Sequence, residues 1–341
     1  MRNLVRVVLC LMGLGLMVGL VLSAGPASVW NTVVALGLWA PLALIPYAFV
    51  YLFDSLGWRS TFPTTIQSRL GFWQFARSRW AGEATNYILP TAYLGGEALK
   101  IVLLQQKGVL AATSATSAVT SKTCQTIAQV IFLALGASTA SVLLPPESPM
   151  RLGMIGVTGL AVLALGGLFL IQRQGFYRCF AAVARRLHLA QAFLTRHHET
   201  LNRIDRQILG FYRHSPRRLS LCVLFYLLGW MADTLEIWLV SHLIDSPISW
   251  SQALAIESFV GVAKILGMFV PGSLGIQETG VVGLCHLFGL PIVFGTAYAL
   301  LRRLREVAYA TVGWILLSLE FPDWKRLQQT ISRAPTEEAN A

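Results

Sequence analysis

The sequence predicts an all-α polytopic membrane protein, with about six full transmembrane helices and two re-entrant broken hairpins in an inverted-topology repeat. Three observations predict it. Of 341 residues, 55% are hydrophobic and only 13% charged, with a mean hydropathy of +0.60, whereas a soluble domain carries about 25% charged residues. Apolar runs recur at lengths near the ~20 residues that a helical span needs. One pattern also occurs twice: Pro90, Gly95, Gly96 and Glu97, then Pro271, Gly272, Gly275 and Glu278. In both, a proline stands seven residues before a glutamate, and a base, Lys122 or Arg303, follows 32 residues after the proline. Proline and glycine break helices, and a carboxylate is costly in hydrocarbon. Repeated broken helices inside a membrane stretch are typical of transporters.

In chain order, residues 1–341 read as a single integral membrane domain. Residues 1–28 make an N-terminal anchor, since the apolar run 4–22 follows Arg2 and surrounds Arg6. It resembles a signal peptide, the alternative reading, but no clean small-x-small cleavage site follows and the chain runs on into more spans. The first half, 29–172, holds spans at 30–53, 122–144 and 152–171, with one re-entrant motif near 85–118. A basic amphipathic segment fills 173–218. The second half, 219–320, holds spans at 219–244 and 292–319, with the other re-entrant motif near 251–290. A tail follows at 321–341.

Loop charges decide the two ambiguous stretches. Arg59, Arg69, Arg77 and Arg79 lie between Asp54 and Gly82, and 173–218 holds ten arginines against Glu199 and Asp205. Segments 145–149 and 245–251 carry no Lys or Arg. The positive-inside rule puts both basic loops in the cytoplasm. A single crossing by 85–118 would put the second basic loop outside, so this stretch dips in and returns or crosses twice. The same parity sends 251–290 back to the outside and leaves both termini cytoplasmic, with Lys325, Arg326 and Arg333 in the tail. The motifs thus enter from opposite faces, and their breaks meet in the protein interior, because non-helical backbone survives at membrane depth only there.

In 173–218, Phe176, Phe180, Val183, Leu187, Leu194, Leu201, Ile204, Ile208 and Phe211 recur at intervals of three, four and seven. The pattern suits a helix or helix pair on the membrane surface, or one docked on the protein's own spans.

Glu97 and Glu278 lead the candidate site residues: each binds a cation, carries a proton, or neutralises a base, Lys100 or Lys122 for the first and Arg303 or Arg305 for the second. The glycines at 95, 96, 272 and 275 either admit a headgroup to the backbone or only serve turn geometry. Asp233 and Glu236 share a helix face that should look inward. Arg302, Arg303, Arg305 and Glu306 clamp a lipid phosphate, mark the cytoplasmic end of the last span or pair internally. Glu257 and Lys264 add intramembrane charge, and Lys122 is the lone base in a polar run. Five scattered cysteines without CxxC suggest neither disulfides nor zinc. Walker A, GxSxG, HExxH and dinucleotide fingerprints are absent, and His197, His198 and Glu199 read as surface. No cofactor, metal or nucleic acid is expected, and the net charge of +11 suits anionic lipid at the membrane surface.

The run from Arg79 and Trp80 through Glu83, Asn86 and Pro90 to Gly95, Gly96 and Glu97 resembles the flippase-like family related to the transmembrane part of lysylphosphatidylglycerol synthases. Glu257, then Pro271 through Gly275, Gln277 and Glu278, then Arg302, Arg303, Arg305 and Glu306, agree with it. These details are most similar to the branch associated with hopanoid biosynthesis, over about residues 80–320. The chain departs at Ser121, Lys122, Thr123 and Cys124, where relatives often carry acids near a base. The resemblance adds Asn86 and Gln277 to the candidate residues and implies a lipid translocase of the bacterial inner membrane, with hopanoid or phospholipid as cargo. The alternatives are a membrane-embedded lipid-modifying enzyme and an accessory or scaffold subunit partnering hopanoid-pathway enzymes. No aminoacyl-transfer domain follows the last span, so synthase activity is not implied.

Overall fold

The computed structural model describes residues 18–19, 21–35, 37–88, 94–175, 198–267, 270 and 273–320. They form α-helices without a strand: α1 (Pro26–Ala35), α2 (Ala40–Ser60), α3 (Thr64–Arg69), α4 (Phe72–Ile88), α5 (Leu94–Gln106), α6 (Ala111–Leu143), α7 (Pro149–Gln174), α8 (His198–His214), α9 (Pro216–Leu243), α10 (Trp250–Leu266), α11 (Ile276–Leu287) and α12 (Ile292–Glu320), with a 3-10 turn at Gly37–Trp39. Most of the anchor at 4–22, the tail and most of the breaks themselves lie outside the described residues.

Four helices, α2, α6, α7 and α9, are long and apolar enough to span a bilayer. The chain is a multi-pass membrane protein. Helix α12 has the length but carries four charged residues at its middle, Arg302, Arg303, Arg305 and Glu306. Helix α7 shows the lipid contact most plainly: of its 26 residues only Met154 and Gln172 are buried, while Leu152, Leu160, Leu163 and Leu170 point outward.

Two expected boundaries move. The span expected at 30–53 is two elements, α1 ending at Ala35 and α2 opening at Ala40. Pro41 lies in the first turn of α2, where its missing N–H costs nothing. Asp54 and Arg59 thereby become helical, and Arg79 lies inside α4 instead of a loop. The span expected from 122 begins at Ala111, because Gly108 turns the chain at φ +76 right after α5. At 33 residues α6 is ~50 Å long, more than the ~30 Å of hydrocarbon. Its hydroxyl-rich start packs against α8, where Ile204, Ile208 and Phe211 are buried against α6 and α9 and Gln207 accepts from Thr116 at 2.8 Å. Docking on the spans therefore describes residues 198–214, with Arg203, Arg206 and Arg213 exposed. The rest of the amphipathic pattern, 176–197, lies outside the described residues.

Helices α4 and α5 pack as a hairpin, as do α10 and α11. Their arms, 17 and 13 residues and 17 and 12 residues, reach only ~18–25 Å each. Each hairpin closes at its own mouth. Arg69, just before α4, donates to the Gly108 carbonyl at 2.9 Å, just after α5. Gln252 at the start of α10 donates to the Phe288 carbonyl at 3.4 Å. Helices α2 and α9 run antiparallel, with Gly57 against Tyr226 and Asp54 against Gly229. The first mouth adjoins the end of α2 at Ser60 and the second the end of α9 at Leu243, so the mouths lie at opposite ends of the bundle.

The 181 residues between Pro90 and Pro271 carry α2, α4, α5 and α6 onto α9, α10, α11 and α12 to within a few residues at their starts. The halves interlock, α4 packing on α12 and α10 on α6. Each crossing closes on a glycine: Gly313 meets Ala84 and the Trp80 carbonyl, and Gly136 meets Ser258. Within the first hairpin a Cβ on Gly96 would stand 2.1 Å from the Gly82 carbonyl oxygen, which only glycine avoids. Gly96→Ala should therefore force the arms apart and cost about 1–3 kcal/mol. Gly166→Ala, where a Cβ meets nothing within 4 Å, should be neutral. Thermal unfolding in detergent compares the two, and equal stability would refute the close approach.

Candidate functional site

The repeated motif builds two corresponding clasps. Glu97, in the first turn of α5, pairs with Lys122 on α6 at 3.1 Å and with Lys100 at 2.7 Å. Glu278, in the first turn of α11, accepts from Arg303 Nε at 2.7 Å across the same 25-residue separation. Each base also reaches a residue three positions on: Lys122 Nζ donates to Gln125 at 3.1 Å, and Arg303 pairs with Glu306 at 2.9 Å. Both carboxylates sit at helix N-termini, where the dipole favours negative charge. Glu278 makes this explicit by accepting the Gly275 N–H at 2.7 Å. Gly275 itself has φ +79, a conformation that favours glycine. In the first hairpin Asn86 does the equivalent work, accepting the Gly96 N–H at 2.8 Å.

Five further buried acids meet bases or an amide on other helices. Arg302 donates to Glu257 on α10 at 2.7 Å, and Arg305 binds both Glu236 and, at 3.3 Å, Asp233 on α9. Arg305 also covers the Tyr47 ring of α2 at 3.5 Å. Gln277 donates to Glu306 at 3.0 Å, and Arg79 of α4 binds Asp54 of α2. Of the alternatives for Arg302, Arg303, Arg305 and Glu306, the geometry shows internal pairing, each arginine binding the protein's own acids. Asp233 and Glu236 look inward, as the shared face requires.

Between the halves lies a cavity of about 280 Å³, lined by α2, α4, α6, α9 and α10. Its charged walls are Asp54, Arg79, Glu83, Lys122, Asp233 and Lys264, with Gln125, Gln129, Tyr47 and Tyr51 beside them. Lys122 is the candidate that both belongs to a clasp and faces this chamber; its side chain is 43% exposed. Asp233 also reaches the wall. Glu97, Glu278, Gly95, Gly96, Gly275, Asn86, Gln277, Glu236, Arg302, Arg303, Arg305 and Glu306 stand behind it as framework. Pro90, Pro271 and Gly272 lie outside the described residues.

Sequence reasoning passed over Glu83, Gln125 and Gln129 as site residues and read Asp54 and Arg79 as loop charges. The 181-residue offset was the available signal, because it places Glu83 opposite Lys264 and Gln125 opposite Glu306. Among the described residues no group of three or more His, Cys, Asp or Glu side chains could hold a metal ion.

Helix spans, two short-armed hairpins and paired charges around an internal chamber define a polytopic all-α membrane protein. The chain belongs to the lysylphosphatidylglycerol synthase TM region family, which matches residues 4–313. It is 22% identical to a UPF0104 membrane protein of Pyrococcus horikoshii over 279 residues, 77% of this chain and 81% of that one. It is 27% identical to a UPF0104 membrane protein of Methanothermobacter thermautotrophicus over 130 residues, 38% of this chain and 39% of the relative. No solved structure matches.

Breaking one buried pair leaves a charge stranded in low dielectric, whereas removing both partners does not. Asp54→Asn should therefore destabilise the protein by about 3–5 kcal/mol, and adding Arg79→Gln should recover most of it. Chemical denaturation in detergent reads both; a double variant as unstable as the single one would contradict the pairing.

Proposed function

We propose that the protein is a lipid translocase of the bacterial inner membrane, passing polar headgroups through the chamber while acyl chains remain in the bilayer. The chamber carries this reading. It holds six charged side chains drawn from both halves, inside a bundle whose outer helices are apolar, and intramembrane charge marks a substrate path. Hairpin mouths at opposite ends, related by a constant offset, support an inverted-topology repeat in which the halves rock about the site. The family, named for the membrane region of a lipid-modifying synthase, supports lipid as cargo. Hopanoid and phospholipid both satisfy that much.

Two measurements test it. Purified protein in liposomes should accelerate transbilayer movement of fluorescent lipid, and Lys122→Gln should slow it about tenfold, the scale of one hydrogen bond to a charged group. No acceleration over protein-free vesicles, across anionic, zwitterionic and hopanoid-containing membranes, would reject translocation. For the orientation, Glu147→Cys and Arg213→Cys are placed singly in a cysteine-free background. The first should react with an impermeant maleimide in intact spheroplasts and the second only after lysis. The reverse labelling would overturn cytoplasmic placement of the basic segment.

A further inference from the structure

The chamber's charges are not equally committed. Asp54 is bound by Arg79, and Asp233 by Arg305. Glu83 has neither an ion pair nor a hydrogen bond with another described residue, although its helix packs among charged neighbours. Lys122 has three N–H donors and directs two of them to Glu97 and Gln125, leaving one for the cavity. Lys264 lines the same wall, its ammonium 5.9 Å from the Tyr87 ring centre. One acid, Glu83, and two bases, Lys122 and Lys264, thus face one space. At ~30 Å³ per water that space holds on the order of nine waters, enough for a small headgroup.

A second cavity adjoins it. About 430 Å³ in volume, it is walled by Phe72, Trp73, Trp80 and Tyr309 with aliphatic residues of α2, α4 and α12. Tyr51 lines both cavities. Its ring packs against Trp80 and Tyr309 at 4.9 and 5.1 Å, and its buried hydroxyl has no hydrogen-bond partner. One tyrosine therefore separates a charged chamber from an aromatic, apolar groove, the two environments that one lipid brings on one molecule.

Resting on the translocase reading, we infer that the substrate is a zwitterionic phospholipid of the phosphoethanolamine type. Its ammonium binds Glu83, its phosphate lies between Lys122 and Lys264, and an acyl chain occupies the groove beyond Tyr51. Charge selects this class. A purely anionic headgroup would set like charge against Glu83, and a purely cationic one would set like charges against both lysines. A hopanoid without an amine and a phosphate would use neither.

Binding is read separately from transport. Protein in detergent is offered equimolar phosphatidylethanolamine and phosphatidylglycerol of identical chains, and retained lipid is counted by native mass spectrometry. Wild type should favour phosphatidylethanolamine about tenfold, the scale of one charge-assisted hydrogen bond. Glu83→Gln should abolish the preference. Lys122→Gln should lower retention of both lipids, and the exposed-loop control Glu147→Gln should change nothing. Water-soluble glycerophosphoethanolamine should compete poorly. Competition equal to that of the lipid would remove the acyl groove from the proposal. Equal retention of both lipids by wild type, or a preference that survives Glu83→Gln in protein of unchanged melting temperature, overturns the zwitterion assignment whether or not the liposomes show transport. Zwitterion-selective binding without lipid movement would instead reject translocation alone.

Discussion

Everything in this bundle answers to the cost of an unpaired charge in hydrocarbon. Arg302, Arg303 and Arg305 lie within a single turn of one long helix, which is untenable unless other helices bring acids to them. Three elements do so: α10 supplies Glu257, α11 supplies Glu278 and α9 supplies Asp233 and Glu236. The position of α12 is set by these demands as much as by its apolar contacts. Hydrophobic burial cannot play that role here, because lipid is as apolar as the helix surface it would replace. Close glycine crossings and ion pairs supply the specificity instead.

The two halves meet this constraint differently. Where α12 has Arg302, Arg305 and Glu306, the corresponding positions of α6 hold Ser121, Cys124 and Gln125. Ser121 hydrogen-bonds Tyr226, and Cys124 lies buried beside Cys222. On α6 the first half thus keeps only the Lys122 clasp and places small Ser121 and Cys124 where α12 has arginines. Where α6 borders the chamber, Lys122 is therefore its one charge, beside Gln125, Thr126 and Gln129.

Much of the architecture was legible because membranes enforce simple rules. Composition, span length and loop charge led to a helical membrane protein, and the Pro, Gly and Glu spacing led to both hairpins and both clasps. The partners of Glu97 and Glu278 were named correctly among the alternatives. The chamber was not legible, because its lining comes from five helices that no local pattern joins. Asp54 and Arg79 misled for a definite reason. A charge near a span end reads as a loop residue, and only tertiary pairing shows that the helix continues past it. The boundary at Ala111 was hidden similarly, since serine and threonine lower hydropathy without ending a helix whose polar stretch has α8 to cover it.

The 25-residue interval between each glutamate and its base amounts to a ruler. One residue inserted inside the base's own helix, between Ala111 and Lys122 or between Ile292 and Arg303, would rotate the base by about 100° and carry it away from the carboxylate. Natural variation in length should consequently be barred from 111–122 and 292–303. It should instead collect where no ion pair depends on phase, as in the connection between α6 and α7. The interval would then outlast nearly every other feature of the two motifs as the rest of the chain diverged.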